Sequence, residues 1–322
     1  MSHPPLALSE VFGLTPLRDR FADLALALRG DASTPPSRFD HTSLKILSPR
    51  LSVPLWLGRR PRGRRIPIYN LFNHTPTPVA EGWSVRKTQV RDFRGGDLTY
   101  DSHNGTDFAI PPGTVVVAAA PGRVGRVSNE FHRGGLKILI DHGDGLATGS
   151  NHLGRALVAP GDEVRRGQPI ALSGYSGLDG VVAFPWSPPH VHFNVFLNGA
   201  NVDPFASAGG GEVPLWRRGT EPTPCVPGDE AETAPAATFS PEGVAALLAA
   251  CRHPGSRADI ERGAELLTRG TNALFHRAVY PTRFDADASV LYAARAPRRP
   301  ALDLPFRRED FDGVTFDWGP VQ

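Results

Sequence analysis

Residues 187–196 read "SPPHVHFNVF". After the prolines, His190, His192 and Asn194 alternate strictly with Val191, Phe193 and Val195. A period of two is the mark of a strand, whose successive side chains point to opposite faces. The apolar set belongs in a core, and the two imidazoles project together from the other face. Both rings could reach one metal, or one could bind metal while the other does proton work. An HxH pair alone is weak evidence for either.

The surrounding sequence extends the strand reading. Between residues 96 and 206 short runs recur: "TVVVAA", "RVGRVS", "LKILID" and "PIALSG". Turn signals divide them: "PPG", "APG", "HGDG" and "APGD". No long helical pattern intervenes, so a βαβ sheet is disfavoured. The expectation is an antiparallel β-sandwich or barrel of about 110 residues, a comfortable size for one domain.

The flanks read differently. In residues 1–95, "TPLRDRFADLALALRG" predicts a helix with Thr15 as N-cap, Pro16 at N1 and Gly30 as the stop. Its apolar stripe is Leu17, Phe21, Leu24 and Leu28. "SLKILS", "SVPLWLG" and "IPIYNLF" follow as strands or extended segments. Residues 207–238, rich in Pro, Glu and Thr, read as a linker or surface segment. Residues 239–322 predict one helix from Ser240-Pro241 and a second over "SRADIERGAELLTRGTNALFHRAVY", with Ser256 and Asp259 at capping-box spacing. An irregular tail follows, in which "GVTFDW" is one strand.

The 322 residues, with 34 Gly and 32 Pro, fit a β- and loop-rich protein with sizeable extensions. The formal net charge of +2 provides no nucleic-acid signal, and the five arginines of "RRPRGRR" (59–65) read as a solvated turn or a contact for an anionic polymer. Two cysteines do not make a disulfide framework, and neither has metal-ligand spacing. No apolar run reaches the roughly 18–20 residues of a membrane span. "MSHPPLALSEVFGL" lacks a basic n-region and is interrupted by Glu10, so no export signal is read. No oligomeric state is implied.

Six of the 11 histidines fall in the β-rich middle: His103, His132, His142, His152, His190 and His192. "SHNGTDF" sets His103 and Asp107 four apart across an Asn104-Gly105 turn signal. A tight turn can bring those side chains together; equally, Asp107 could cap the turn. Two histidines and a carboxylate are the protein ligands of many hydrolytic zinc sites. His142 and His152, from "DHGDGLATGSNHLG", read either as buried histidines satisfied by backbone or as functional groups.

Taken together, "HNGTDFAIPPGTVVVAAAPGRVGRV", "LKILIDHGDGLATGSNHLG", "VAPGDEVRRGQPIALSG" and "PHVHFNVFLNGANVDP" resemble the lysostaphin-type, or LytM-type, zinc endopeptidases of cell-wall peptides. The likeness covers residues 100–205. It implies a mainly β, antiparallel domain of the duplicated hybrid motif type, with the site in a groove. It implies one Zn2+ on His103, Asp107 and His192, with His152 and His190 catalytic. It implies peptidoglycan stem peptides or cross-bridges as substrate, often cut at a glycine or D-alanine bond, and hence an extracytoplasmic location. Asp107 with two neutral imidazoles would leave such a centre at net +1.

Three features depart from that pattern. The segment before HxH, "GYSGLDGVVAFPWSPP" (174–189), is long and apolar. It reads as a groove wall carrying Tyr175, Phe184 and Trp186, or as a segment packed on a flanking region. Asn194 stands where an acidic residue is common, and Ser150 where a tyrosine is common. Neither change removes a ligand, so a zinc endopeptidase is expected. The alternatives are a catalytically silent binding or regulatory module of the same fold, or a peptidase of non-wall peptides.

Overall fold

In the computed structural model the strands run β1 (Arg65–Asn70), β2 (Thr106–Ala109), β3 (Val115–Val117), β4 (Gly122–Glu130), β5 (Gly135–Asp141), β6 (Leu146–Ala156), β7 (Glu163–Val164), β8 (Pro169–Ser173), β9 (His190–Leu197), β10 (Ala200–Asn201) and β11 (Gly313–Thr315). The helices are α1 (Leu8–Val11), α2 (Leu17–Arg29), α3 (Pro49–Trp56), α4 (Leu178–Val182), α5 (Pro241–Ala250), α6 (Pro254–Glu261) and α7 (Leu266–Val279). The structure describes residues 3–76, 78–205, 211–226, 228–229, 238–285 and 291–317.

The strands form one branched sheet with the path β11-β1-β2-β9-β6-β5-β4-β7; β10 joins β9, and β8 pairs with β3 and β6. The pairings are antiparallel except β1 with β11. The chain is therefore mainly β, as expected, and the sheet path does not close.

Alternation decides which face each residue serves. Val191, Phe193 and Val195 of β9 enter the main core with Ile138, Ile140 and Leu153. Leu139, Ala147 and Phe196 face the other way, into a second core with Phe239, Leu247, Leu274 and Phe275 of the C-terminal region. The face that buries Phe196 at one end of β9 therefore presents His190 and His192 at the other.

The flanks contribute to the sheet and its cores. Strands β1 and β11 come from the N- and C-terminal regions. Leu215 and Trp216, inside the segment read as a linker, are buried in the main core, and Trp216 stacks on Phe193 at 6.0 Å. Residues 206–210, 227 and 230–237 of that stretch lie outside the described residues. The arginines of 59–65 lie mostly on the surface, where Arg60, Arg64 and Arg65 pair with Asp310, Asp312 and Glu221.

Several local expectations are corrected. "SLKILS" lies largely in a 3-10 turn over His41–Ile46, because Asp40 caps it by accepting from the Thr42 amide. Most of "SVPLWLG" is α3, which starts on Pro49 and buries Leu51 and Leu55 against Tyr69 and Ala109 despite Pro54 inside it. The N-cap of α2 is Pro16, not Thr15. Its apolar stripe does not pack: Leu17, Phe21 and Leu28 are 63%, 73% and 62% exposed. The helix docks instead through Arg20, Asp23 and Ala27, with Asp23 accepting from the Phe131 amide and bonded to His132 Nδ1. The long C-terminal helix breaks after Glu261. His253, not Ser256, caps α6, and Asp259 is drawn off to Arg126 and His276.

Candidate metal centre

Three short elements converge on one point. The turn at 103–105 places His103 just before β2, which carries Asp107. Asp107 pairs across the ladder with His192 of β9. His103 Nε2 lies 3.0 Å from Asp107 Oδ1, His192 Nδ1 lies 2.8 Å from that oxygen, and the two imidazole nitrogens are 3.1 Å apart. All three side chains are buried. Gly105 permits the approach, since a Cβ there would fall 2.7 Å from His192 Nε2 and 2.6 Å from the Phe193 carbonyl.

The donor set fits a metal ion. A tetrahedral ion with bonds of about 2.0–2.1 Å sets its ligand atoms about 3.3 Å apart, close to the observed triangle. Each ring is held by its other nitrogen. His103 Nδ1 meets the Leu71 carbonyl at 2.5 Å, which leaves Nε2 as the lone pair. His192 Nε2 meets Asn104 Oδ1 at 3.2 Å, which leaves Nδ1. Asn70 Nδ2 donates to the second oxygen of Asp107 at 2.8 Å. Such outer contacts fix tautomer and orientation. Burial pushes His192 below its ordinary pKa, against the pull of Asp107, so it is neutral and ligand-competent near pH 7. Burial raises Asp107, but the nearby His103 and His190 outweigh it and hold the carboxyl well below its usual range.

His190 and His152 stand beside this triangle. Their rings are 4.8 Å apart, and His190 Nε2 is 3.6 Å from Asp107 Oδ1. His190 Nδ1 meets the Pro188 carbonyl and His152 Nδ1 the Ser176 carbonyl, each at 2.8 Å. Burial, reinforced by His190, holds His152 well below its ordinary pKa. Strict alternation along β6 would turn His152 to the face of Ser150, which pairs with Phe193. A bulge between β5 and β6 and a left-handed His152 backbone (φ 58°) turn the ring towards His190 instead.

The remaining candidates fall elsewhere. Both His142 nitrogens are occupied, by the Pro121 carbonyl at 2.9 Å and by Thr148 Oγ1 at 2.8 Å, and burial lowers its pKa to about 4. His132 is bonded to Asp23 and Tyr280. Tyr175 is buried 4.9 Å from the His190 ring, with its hydroxyl on Ser187 Oγ. Phe184, 48% exposed, packs on Phe12 and Trp56, and the Trp186 carbonyl accepts from the Ser48 amide. The cleft over His152 and His192 is lined from that segment by Leu178 and Asp179, and from the N-terminal region by Phe39 and Trp83. Asn194 bridges by its amide to Asn104 and Asn151, so the missing acid leaves no gap.

Sequence reasoning missed Asn70 and the Leu71 carbonyl. The one available signal was a polar residue inside the apolar run "IPIYNLF". A second group, Cys225, Asp229 and Asp303, also clusters within reach of an ion. There Arg166 and Arg217 pair with Asp303, and Arg217 and Arg218 pair with Asp229, so its charge is already met.

Residues 101–204 match the model of peptidase family M23. Peptidoglycan DD-endopeptidase ShyA of Vibrio cholerae is 38% identical over 101 residues, 31% of this chain and 22% of that protein. An uncharacterized metalloprotease of Haemophilus influenzae is 35% identical over 102 residues, 32% and 20% of the two chains. The murein hydrolase activator NlpD of Escherichia coli is 28% identical over 131 residues, 40% and 32% of the two. The chain thus spans between a fifth and a third of the length of these relatives. A solved zinc containing peptidase from Vibrio cholerae is 31% identical and covers 45% of this chain and 37% of its own, at a TM-score of 0.33. With four motifs in order and a convergent His-Asp-His triangle, the segment 101–204 is thus similar to peptidase family M23.

Proposed function

We propose that the protein is a zinc-dependent endopeptidase of peptidoglycan peptides. His103, Asp107 and His192 hold one Zn2+, and His152 and His190 move protons. The observation that carries this reading is the meeting of five side chains from three separate stretches around one point. The likeness to peptidoglycan DD-endopeptidases makes the D,D cross-link the first bond to test. Activity on the wall implies an extracytoplasmic site of action. No helix among the described residues is long and apolar enough to cross a membrane.

Bound zinc supplies a Lewis acid and makes water nucleophilic near neutral pH. The chain's own groups do the rest. Because the Nδ1 atoms of His152 and His190 each face a carbonyl, each neutral ring carries its proton on Nδ1 and a free lone pair on Nε2. Either Nε2 can accept a proton from an attacking water. The resulting imidazolium can then steady an oxyanion or protonate the departing amine. The low pKa of His152 keeps it an acceptor in the resting enzyme.

Residues 96–206 are the catalytic unit in this reading, completed by β1 from the N-terminal region and by Trp216 beyond it. A second reading, a silent regulatory module, draws on the likeness to an activator protein. Metal analysis of the purified chain, with digestion of purified peptidoglycan read by mass spectrometry, separates them. One zinc per chain and new muropeptides, both lost in His103→Ala and the second alone in His190→Ala, are expected. Absence of stoichiometric zinc at neutral pH overturns the proposal; zinc without cleavage favours the regulatory module.

A further inference from the structure

Arg133 is a charged group of the cleft that the metal centre does not use. It sits in the turn between β4 and β5, which is tied directly to the site. The His152 amide donates to the Gly134 carbonyl at 2.8 Å, and the Leu178 amide to the Phe131 carbonyl at 2.7 Å. Arg133 therefore lines the same cleft as His152, His192 and Asn104.

Its guanidinium is held but not neutralised. It lies 4.8 Å over the Trp83 ring, and Nη1 donates to Ser37 Oγ at 3.2 Å. Both partners come from the N-terminal region, outside the family match. Arg133 Nε is buried without a hydrogen-bond partner. Among the described residues no carboxylate lies within ion-pair distance of Arg133, although Asp179 lines the same cleft. Nearby basic side chains differ: Lys137 is paired with Glu130, and His132 is bonded to Asp23. A planar guanidinium is matched to carboxylate by its two-pronged geometry, and stacking on an aromatic ring fixes its plane in advance. An unpaired, pre-oriented guanidinium beside a reacting centre is a receptor for a substrate anion.

We infer that Arg133 binds a free carboxylate within one residue of the scissile bond, so that the enzyme selects peptides carrying that group. This rests on the peptidase reading above.

The test uses three synthetic cross-linked stem peptides. One carries a free carboxylate on the amine-side residue of the scissile bond and another on the residue preceding the acyl-side one, whose own carboxyl forms that bond; the other two carry a carboxamide at one position or the other. In the zinc-loaded full chain, one carboxamide lowers kcat/KM by about tenfold or more, mainly through KM, the range expected for a hydrogen bond to a charged group. In Arg133→Met that peptide and its free-carboxylate parent become equivalent; Arg133→Lys keeps the charge and part of the preference, and melting curves establish that both variants fold. Equal rates on all three peptides with the native protein, or an undiminished preference in Arg133→Met, overturn the inference and leave the peptidase reading standing. If the native protein cuts none of them, the peptidase reading fails. Calorimetric binding of the same peptides then decides on Arg133: tighter binding of the free-carboxylate peptide, abolished by Arg133→Met, supports its role, and equal binding overturns it.

Discussion

Asn70 gives the sharpest test of how the N-terminal region serves the candidate metal centre. Its side-chain amide donates to Asp107 Oδ2 at 2.8 Å, and both groups are almost fully buried. Asn70→Ala leaves that buried carboxylate oxygen without its donor. A hydrogen bond to a charged group contributes about 1.5–3 kcal/mol, and removing partners of this kind weakens metal binding about 10–100-fold. At 1.4 kcal/mol per factor of ten, the two ranges agree. Asn70→Asp is predicted to be worse, because it sets a second carboxylate against Asp107 and raises the pKa of the pair. The assay is zinc titration in competition with a chromophoric chelator, at fixed pH and salt, alongside thermal melting of the metal-free proteins. Both variants should fold and bind zinc more weakly, with Asn70→Asp weakest. Zinc affinity in Asn70→Ala within about twofold of the native value, against the 10–100-fold expected, refutes the reasoning.

Three further outcomes are expected. His152→Ala and His190→Ala should each retain zinc by elemental analysis yet lose about 10²–10⁴-fold in turnover, the usual range for a proton-transfer group; zinc loss in either would move that ring into the ligand set. Trp216→Ala removes a fully buried indole that stacks on Phe193 and meets Phe205 edge to face, and should cost about 3–5 kcal/mol in urea unfolding; a small change would mean that the segment is peripheral. Burial raises Glu130, but Lys137 and Arg126 outweigh it and hold its pKa at about 2. Because that folded-state value lies below the unfolded one, its stabilisation is complete above about pH 4.5 and is lost as pH falls towards 2. It amounts to no more than about 3 kcal/mol, and Glu130→Gln should flatten that acid limb in denaturation curves taken from pH 5 to 2.

Much of the site was legible because its geometry is local. His190 and His192 share a face by the period of a strand, and the Asn104-Gly105 turn brings His103 onto Asp107. The His-Asp-His triangle then needs only that β2 and β9 be neighbours. The β-rich middle was equally legible, since alternation and turn residues are properties of short windows. Reading failed where partners lie far away in sequence. The stripe of α2 has helical spacing, yet Asp23 and Arg20 dock the helix by its other face through contacts to Phe131 and His132. Trp216 sits among polar and proline-rich neighbours, and nothing local indicates that it fills the space beside Phe193.

The amino-acid sequence by itself determined the strands of the β-rich middle, the residue types of the candidate site and the pairing of rings in HxH, because side-chain direction follows from backbone period. Only the tertiary structure decided how those groups are held. His152 reaches His190 through a bulge and a left-handed backbone that no periodicity encodes. Asn70, the Leu71 carbonyl and Trp83 come to the site because β1 and its neighbours pack there. Hydrogen bonds and stacking act over a few ångströms of space, whatever the distance along the chain.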